Sequence, residues 1–191
     1  LTQEIEAELG RLSTCDPWVK QVPFLVQLPG LGVLSAMRIL AAIGEISRFP
    51  SAKHLVGYAG LGASVHQSGE TNRGGHFTKQ GRRDLRGIMV EAAWVAVEHH
   101  PHWKAQFERL AARIGKQKAI VAIARKLLVT IWHVLSQQES DSHVQIEAVT
   151  RKLLNWISYT GTIPGKKRDR LLLLYDYLDQ LGSVSYTHLR A

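Results

Sequence analysis

Between Gly57 and Ala93 a small polar loop holding Ser68-Gly69 runs into a basic stretch that contains Arg73, Lys79, Arg82, Arg83 and Arg86. A serine hydroxyl is a nucleophile, but while protonated it attacks phosphorus poorly. It needs a general base or a metal, and the charge that builds on the phosphoryl oxygens needs fixed cations or amide dipoles. Arg73, Lys79, Arg82 and Arg86 are suited to clamp a phosphodiester, the arginines in a bidentate manner. His66 stands two residues before Ser68, and on an extended strand residues two apart share a face, which makes His66 a candidate proton acceptor. His76 follows the serine further along. On residue types alone the segment also fits an ordinary Ser-Gly turn leading into a solvated helix face, with both histidines exposed.

A second candidate contact is Pro29-Gly30-Leu31-Gly32, just ahead of an apolar helix beginning at Val33. This turn resembles one helix-hairpin-helix element. There Gly30 and Gly32 would let backbone approach a DNA phosphate and donate amides to it, a contact blind to base sequence. A simple turn between two core helices is the alternative. Metal sites are not expected within the chain. His99, His100 and His102 flank Pro101, but adjacent histidines at a helix junction seldom converge on one ion, and no cysteine or carboxylate at ligand spacing joins them. No Walker phosphate loop, dinucleotide glycine fingerprint or serine-hydrolase elbow is present.

The elements that must position these residues read as mostly α. The pattern is that of a small multi-helix domain with one helix-hairpin-helix-like element and a short Gly/Ser-rich loop or hairpin that carries the serine. Apolar spacing predicts helices over 1–12, 33–46, 52–58, 79–99, 101–114, 118–135, 146–159 and 167–181. Ser51 is expected to cap the helix from Ala52. Pro101 starts one helix and Gly115 ends it. In the helix from Lys79, Leu85, Ile88, Met89, Ala92, Val95 and Ala96 form the core face, with Arg82, Arg83 and Arg86 largely off it. Trp103, Phe107, Leu110 and Ile114 read as core, and Arg125-Lys126 as a pair facing either phosphate or, more simply, solvent.

Four segments are delimited: residues 1–22, the end of a connecting amphipathic helix; 23–136, the main domain; 137–183, a helical extension; and 184–191. The chain opens at Leu1 in a helix already under way, so it is expected to continue a longer protein. Val184 to Ala191, VSYTHLRA, resembles translated sequencing adapter and is set apart from the fold.

A net charge of +8 over 191 residues favours an acidic partner such as nucleic acid. Cys15 is the only cysteine, so no intramolecular disulfide forms. No apolar run approaches the ~20 residues that cross a bilayer, and no secretory signal is visible, so a cytoplasmic protein without a membrane partner is expected.

Taken in order, Leu28-Pro-Gly-Leu-Gly32, Tyr58-Ala-Gly-Leu-Gly62, Ser68-Gly69, Thr78-Lys-Gln-Gly81 with Leu85-Arg86, Val90-Glu-Ala-Ala93 and the helix from Lys118 to Leu128 resemble the C-terminal transposase domain of the IS-one-ten insertion-sequence family. Two positions depart: Ala63 stands where the family usually has proline, and Arg82 where it has asparagine. The resemblance implies an RNA-guided recombinase that acts on DNA as a homo-oligomer, with Ser68 as the nucleophile that joins DNA covalently. It also implies that carboxylates binding a divalent metal such as magnesium lie in a separate N-terminal domain. Two other classes compete: a non-catalytic, sequence-independent DNA-binding module, and a helical oligomerisation domain.

Overall fold

The computed structural model describes residues 2–68, 71–77 and 80–159, with backbone alone for 2, 63–68, 71–77 and 157–159. Its helices are α1 (Thr2–Leu12), α2 (Val22–Val26), α3 (Val33–Ile43), α4 (Ala52–Tyr58), α5 (Arg83–His99), α6 (Pro101–Ile114), α7 (Lys116–Gln137) and α8 (Ile146–Tyr159). One antiparallel hairpin, β1 (Ala63–Ser68) and β2 (Thr71–Phe77), interrupts them between α4 and α5. The expected mostly α architecture is therefore present. The expected helix over 167–181 and the terminal 184–191 segment lie outside the described residues.

Local chemistry explains many of the boundaries. His100 is extended, and Pro101, which needs no N–H partner at a first helical position, opens α6. Gly115, at φ +82°, receives the end of α6 through its N–H to Ala111 O (3.0 Å), and its own carbonyl accepts from Ala119 N (3.0 Å) in α7. One residue thus closes one helix and opens the next. Ser51 differs from expectation: its hydroxyl lies 2.9 Å from His54 Nδ1 and makes no side-chain cap to the backbone.

The core is organised around α7, which packs against α4, α5 and α6. Its buried stripe includes Ile120, Ile123, Ala124, Leu127, Leu128 and Ile131. Full burial of each large apolar side chain contributes roughly 1.5–3 kcal/mol. The expectation that no apolar stretch is long enough to cross a membrane is corrected here. Lys116–Gln137 is long and apolar enough by length and composition alone, because Arg125 and Lys126 interrupt its apolar residues without lowering its mean hydropathy far; its apolar side is packed inside the protein.

On α5 the inward residues are Leu85, Ile88, Met89, Ala92, Ala93, Ala96 and Val97. Val95, expected in that face, is 42% exposed. The helix is gripped by α3 as well as by α6 and α7, which turns Ala93 and Val97 inward instead. The extension also joins the core: α8 packs on α2 and buries Val149, Leu153 and Trp156, with Trp156 Nε1 donating to the buried Ser13 Oγ at 2.8 Å.

Candidate active site at the serine hairpin

The hairpin leaves and rejoins the helical body at two glycines that touch. Gly60 has φ +68° and Gly81 φ +145°. A Cβ on Gly81 would lie 2.6 Å from both Gly60 N and Tyr58 O. Only glycine permits this backbone-on-backbone crossing. Arg82 N donates to Tyr58 O (2.8 Å) and Arg86 Nη1 to Ala59 O (3.2 Å), so the first turn of α5 is tied to the last turn of α4. This contact keeps Gly81 and Arg82 out of the helix, and α5 starts at Arg83, later than the expected Lys79.

Within the hairpin Ser68 pairs with Thr71, Gln67 with Asn72, His66 with Arg73 and Val65 with Gly74, and the register shifts between Ala63 and Val65. Directly paired positions in an antiparallel ladder share a face, as do alternate positions along one strand. Positions 66, 68, 71 and 73 therefore lie on one face, with Ser68 and Thr71 as the pair nearest the connection. The backbone register thus brings together Ser68, His66 and Arg73. His76 belongs to β2, while Lys79 lies outside the described residues.

The arginines at the hairpin base divide by environment. Arg82 is engaged within the protein: Nη1 donates to Ala42 O (3.1 Å) and to the Tyr58 hydroxyl (3.2 Å), and Nε faces both Asp84 carboxylate oxygens at 3.1 Å. Tyr58 OH also donates to Ala42 O at 3.1 Å, and Arg48 Nη1 donates to Ile43 O at 3.0 Å. The C-terminal carbonyls of α3, the negative end of that helix, are thereby covered by two guanidinium groups and a phenol. The Arg82 hydrogen bond, assisted by Arg48 and opposed by desolvation, holds the Tyr58 phenol below its ordinary range. The Leu85 amide, then Arg82, lowers the Asp84 carboxyl. With Arg82 and Asp84 side chains 41% and 49% exposed, the ion pair itself contributes little stability. Arg83 is exposed, with no partner among the described residues, and Arg86 is half-buried against Ala59.

The Pro29-Gly-Leu-Gly turn divides as well. Gly30, at φ +79°, faces the backbone of α5: a Cβ there would meet Ala92 O at 2.1 Å. Its close approach is to protein. A Cβ on Gly32 would meet nothing within 4 Å, and the N-terminus of α3 opens on a cleft of about 540 Å³ lined by Val33, Leu34, Ser35, Lys152 and Trp156 among others.

Sequence reasoning missed Lys152. Its Nζ donates to Val26 O (3.1 Å), Leu28 O (2.8 Å) and Leu31 O (3.1 Å), latching α8 to the glycine turn, and burial pushes the ammonium down to about 8. Its one sequence signal is its place beside Val149, Leu153 and Trp156 on the inward side of an amphipathic helix. Around the histidines that flank Pro101, the His102 and His143 rings lie 3.7 Å apart and His100 Nε2 is 3.0 Å from His143 O. Among the described residues no three His, Cys, Asp or Glu side chains converge to hold a metal ion.

Residues 23–108 match the model of the transposase IS116/IS110/IS902 family. The chain is 31% identical over 133 residues to the insertion element IS110 uncharacterized 43.6 kDa protein of Streptomyces coelicolor, covering 69% of this chain and 32% of that protein. It is 32% identical over 139 residues to the pilin gene-inverting protein of Moraxella bovis, covering 70% of this chain and 43% of the relative. It is 29% identical over 117 residues to the transposase for insertion sequence element IS1111A of Coxiella burnetii, covering 59% and 32%. The matched region thus spans 32–43% of the length of these relatives.

Proposed function

The chain belongs to the IS116/IS110/IS902 transposase family through residues 23–108, and from that premise we propose that it supplies the serine nucleophile of a DNA transposition or recombination enzyme. Ser68 Oγ bonds to phosphorus as the ester bond to one deoxyribose breaks. The released strand end takes up a proton, and attack by the hydroxyl of another strand end frees the serine and rejoins the DNA.

The observation that carries this reading is the shared face of positions 66, 68, 71 and 73 on a hairpin whose base is clamped to the start of α5. In this reading His66 is the proton acceptor for the nucleophile and Arg73 the cation for the phosphoryl oxygens. Arg83 and Lys79 follow as contacts to flanking phosphates, with Gly32 as the open amide of the glycine turn. Arg82, Arg86 and Gly30, also expected at the DNA, act in this reading by holding the hairpin base and the turn in place. Relatives named for gene inversion and for transposition agree with chemistry on DNA.

Under the same reading an RNA guide and further copies of the protein complete the assembly, and any catalytic divalent metal is held outside the described residues. The test is recombination by a full-length protein containing this chain: Ser68→Ala abolishes strand exchange while DNA binding persists. Normal exchange by Ser68→Ala removes the proposal.

A further inference from the structure

The pair of helices α6 and α7 carries a charge arrangement that the serine hairpin does not use. From Pro101 to Gln137 the chain has seven lysines and arginines against a single carboxylate, Glu108. That stretch accounts for six of the eight net positive charges. At its centre Lys126 Nζ and Arg109 Nη2 both donate to one neutral acceptor, Gln106 Oε1, each at 2.8 Å. Among the described residues no carboxylate pairs with either cation. Two positive groups converge on an amide oxygen that offers a dipole but no charge, so their mutual repulsion is left uncompensated. In keeping with this, desolvation first and the Arg109 guanidinium second hold the Lys126 ammonium below its ordinary range.

A groove of about 440 Å³ adjoins the pair, with Trp103, Leu110, Arg125, Lys126 and Thr130 among its walls. Trp103 Nε1 is buried without a hydrogen-bond partner among the described residues. Arg109 and Lys126 are exposed, so the acceptor they share is open to replacement from solvent.

We propose that this groove is a DNA-backbone contact separate from the serine hairpin, in which a phosphate oxygen takes the place of Gln106 Oε1 between Lys126 and Arg109. A phosphate supplies the missing charge and accepts from both groups. A polyanion with evenly repeating charge suits a helix pair with seven cations and one acid better than an isolated anion does. The contact reads no base sequence and sets the position of the duplex relative to Ser68. This inference rests on the reading of the chain as a DNA-handling protein.

The test is binding of a labelled DNA duplex by the 191-residue chain across about 50–200 mM salt. The Arg109→Ala/Lys126→Ala variant loses two phosphate contacts, and the slope of log K against log salt becomes shallower by about 1.8. Gln106→Glu places a carboxylate between the cations. It pairs them internally, leaves thermal stability equal or higher, and still weakens duplex binding about tenfold or more, which separates lost contact from lost fold. Wild-type slope and affinity in Gln106→Glu would overturn the proposal. So would a loss confined to single-stranded RNA with duplex binding intact. Absence of salt-dependent duplex binding in the wild type would overturn both this inference and the functional reading beneath it. Failure of the variants to differ from a binding-competent wild type would overturn the groove alone.

Discussion

Replacing Gly81 by alanine tests whether the serine hairpin is positioned by its base. At φ +145° Gly81 occupies backbone space that residues with a Cβ rarely adopt, at a cost of about 1–3 kcal/mol. The new methyl would sit 2.6 Å from Gly60 N and from Tyr58 O, and 3.0 Å from Gly60 Cα. All three are backbone atoms, so no flexible side chain can swing aside, and relief of that overlap costs about another 1–3 kcal/mol. The expected destabilisation is about 2–6 kcal/mol, a large share of the ~5–15 kcal/mol that holds a domain folded. A chain that escapes by parting the hairpin from α5 loses the 2.8 Å bond from Arg82 N to Tyr58 O. Gly87→Ala is the paired control. That position lies inside α5, where a Cβ meets nothing within 4 Å, and the substitution stabilises by about 0.4–1 kcal/mol through the unfolded state. Urea unfolding followed by circular dichroism, compared at equal m, gives both numbers. A Gly81→Ala protein within about 0.5 kcal/mol of wild type, or shifted in the same direction as Gly87→Ala, would refute the claim that this crossing fixes the hairpin.

Gly30→Ala places a methyl 2.1 Å from Ala92 O, and lowers stability by about 3 kcal/mol or more in the same unfolding assay. Lys152, held at about 8 by burial, lies below its ordinary value near 10.4, so between those values the unfolded chain binds more protons. Stability therefore gains up to about 3 kcal/mol from this group as pH rises from ~8 to ~10.4. Comparison of wild type with Lys152→Met at pH values on either side of that window measures the gain, which the methionine variant lacks. Arg82→Ala removes the hydrogen bond that chiefly lowers the Tyr58 phenol, so Tyr58 titrates at higher pH, followed by NMR of the ring; an unchanged titration would contradict the Arg82–Tyr58–Ala42 arrangement.

What was legible in the sequence were features with a local cause. The bounds of α8 follow from apolar spacing, the start of α4 from Pro50 and Ser51, and the bounds of α6 from Pro101 and Gly115. Features fixed by distant partners left no local trace. Arg82 reads as one more basic residue in the first turn of a helix, yet it reaches Ala42, far back in the chain, because the carbonyl end of α3 arrives there only after folding. The start of α5 is displaced for the same reason, since the Gly60–Gly81 crossing overrides a pattern that runs on without a break. Val95 sits on a plausible apolar face, but the position of α3 decides which residues that face contains. Lys152 reads as a polar residue on an amphipathic helix; only the assembled turn shows three carbonyls waiting for its three N–H donors. At the candidate site, the pairing of His66 with Arg73 needed the register, although the shared face of His66 and Ser68 followed from strand alternation alone.

Ser68 is proposed to become covalently joined to DNA. The direct measurement is to incubate a full-length protein containing this chain with its DNA and RNA partners, denature it, and look for a protein–DNA adduct that survives. An adduct is expected in the wild type, mapped to Ser68 by mass spectrometry and absent in Ser68→Ala. An adduct that persists in Ser68→Ala, or salt-sensitive DNA binding with no adduct in either protein, would contradict it.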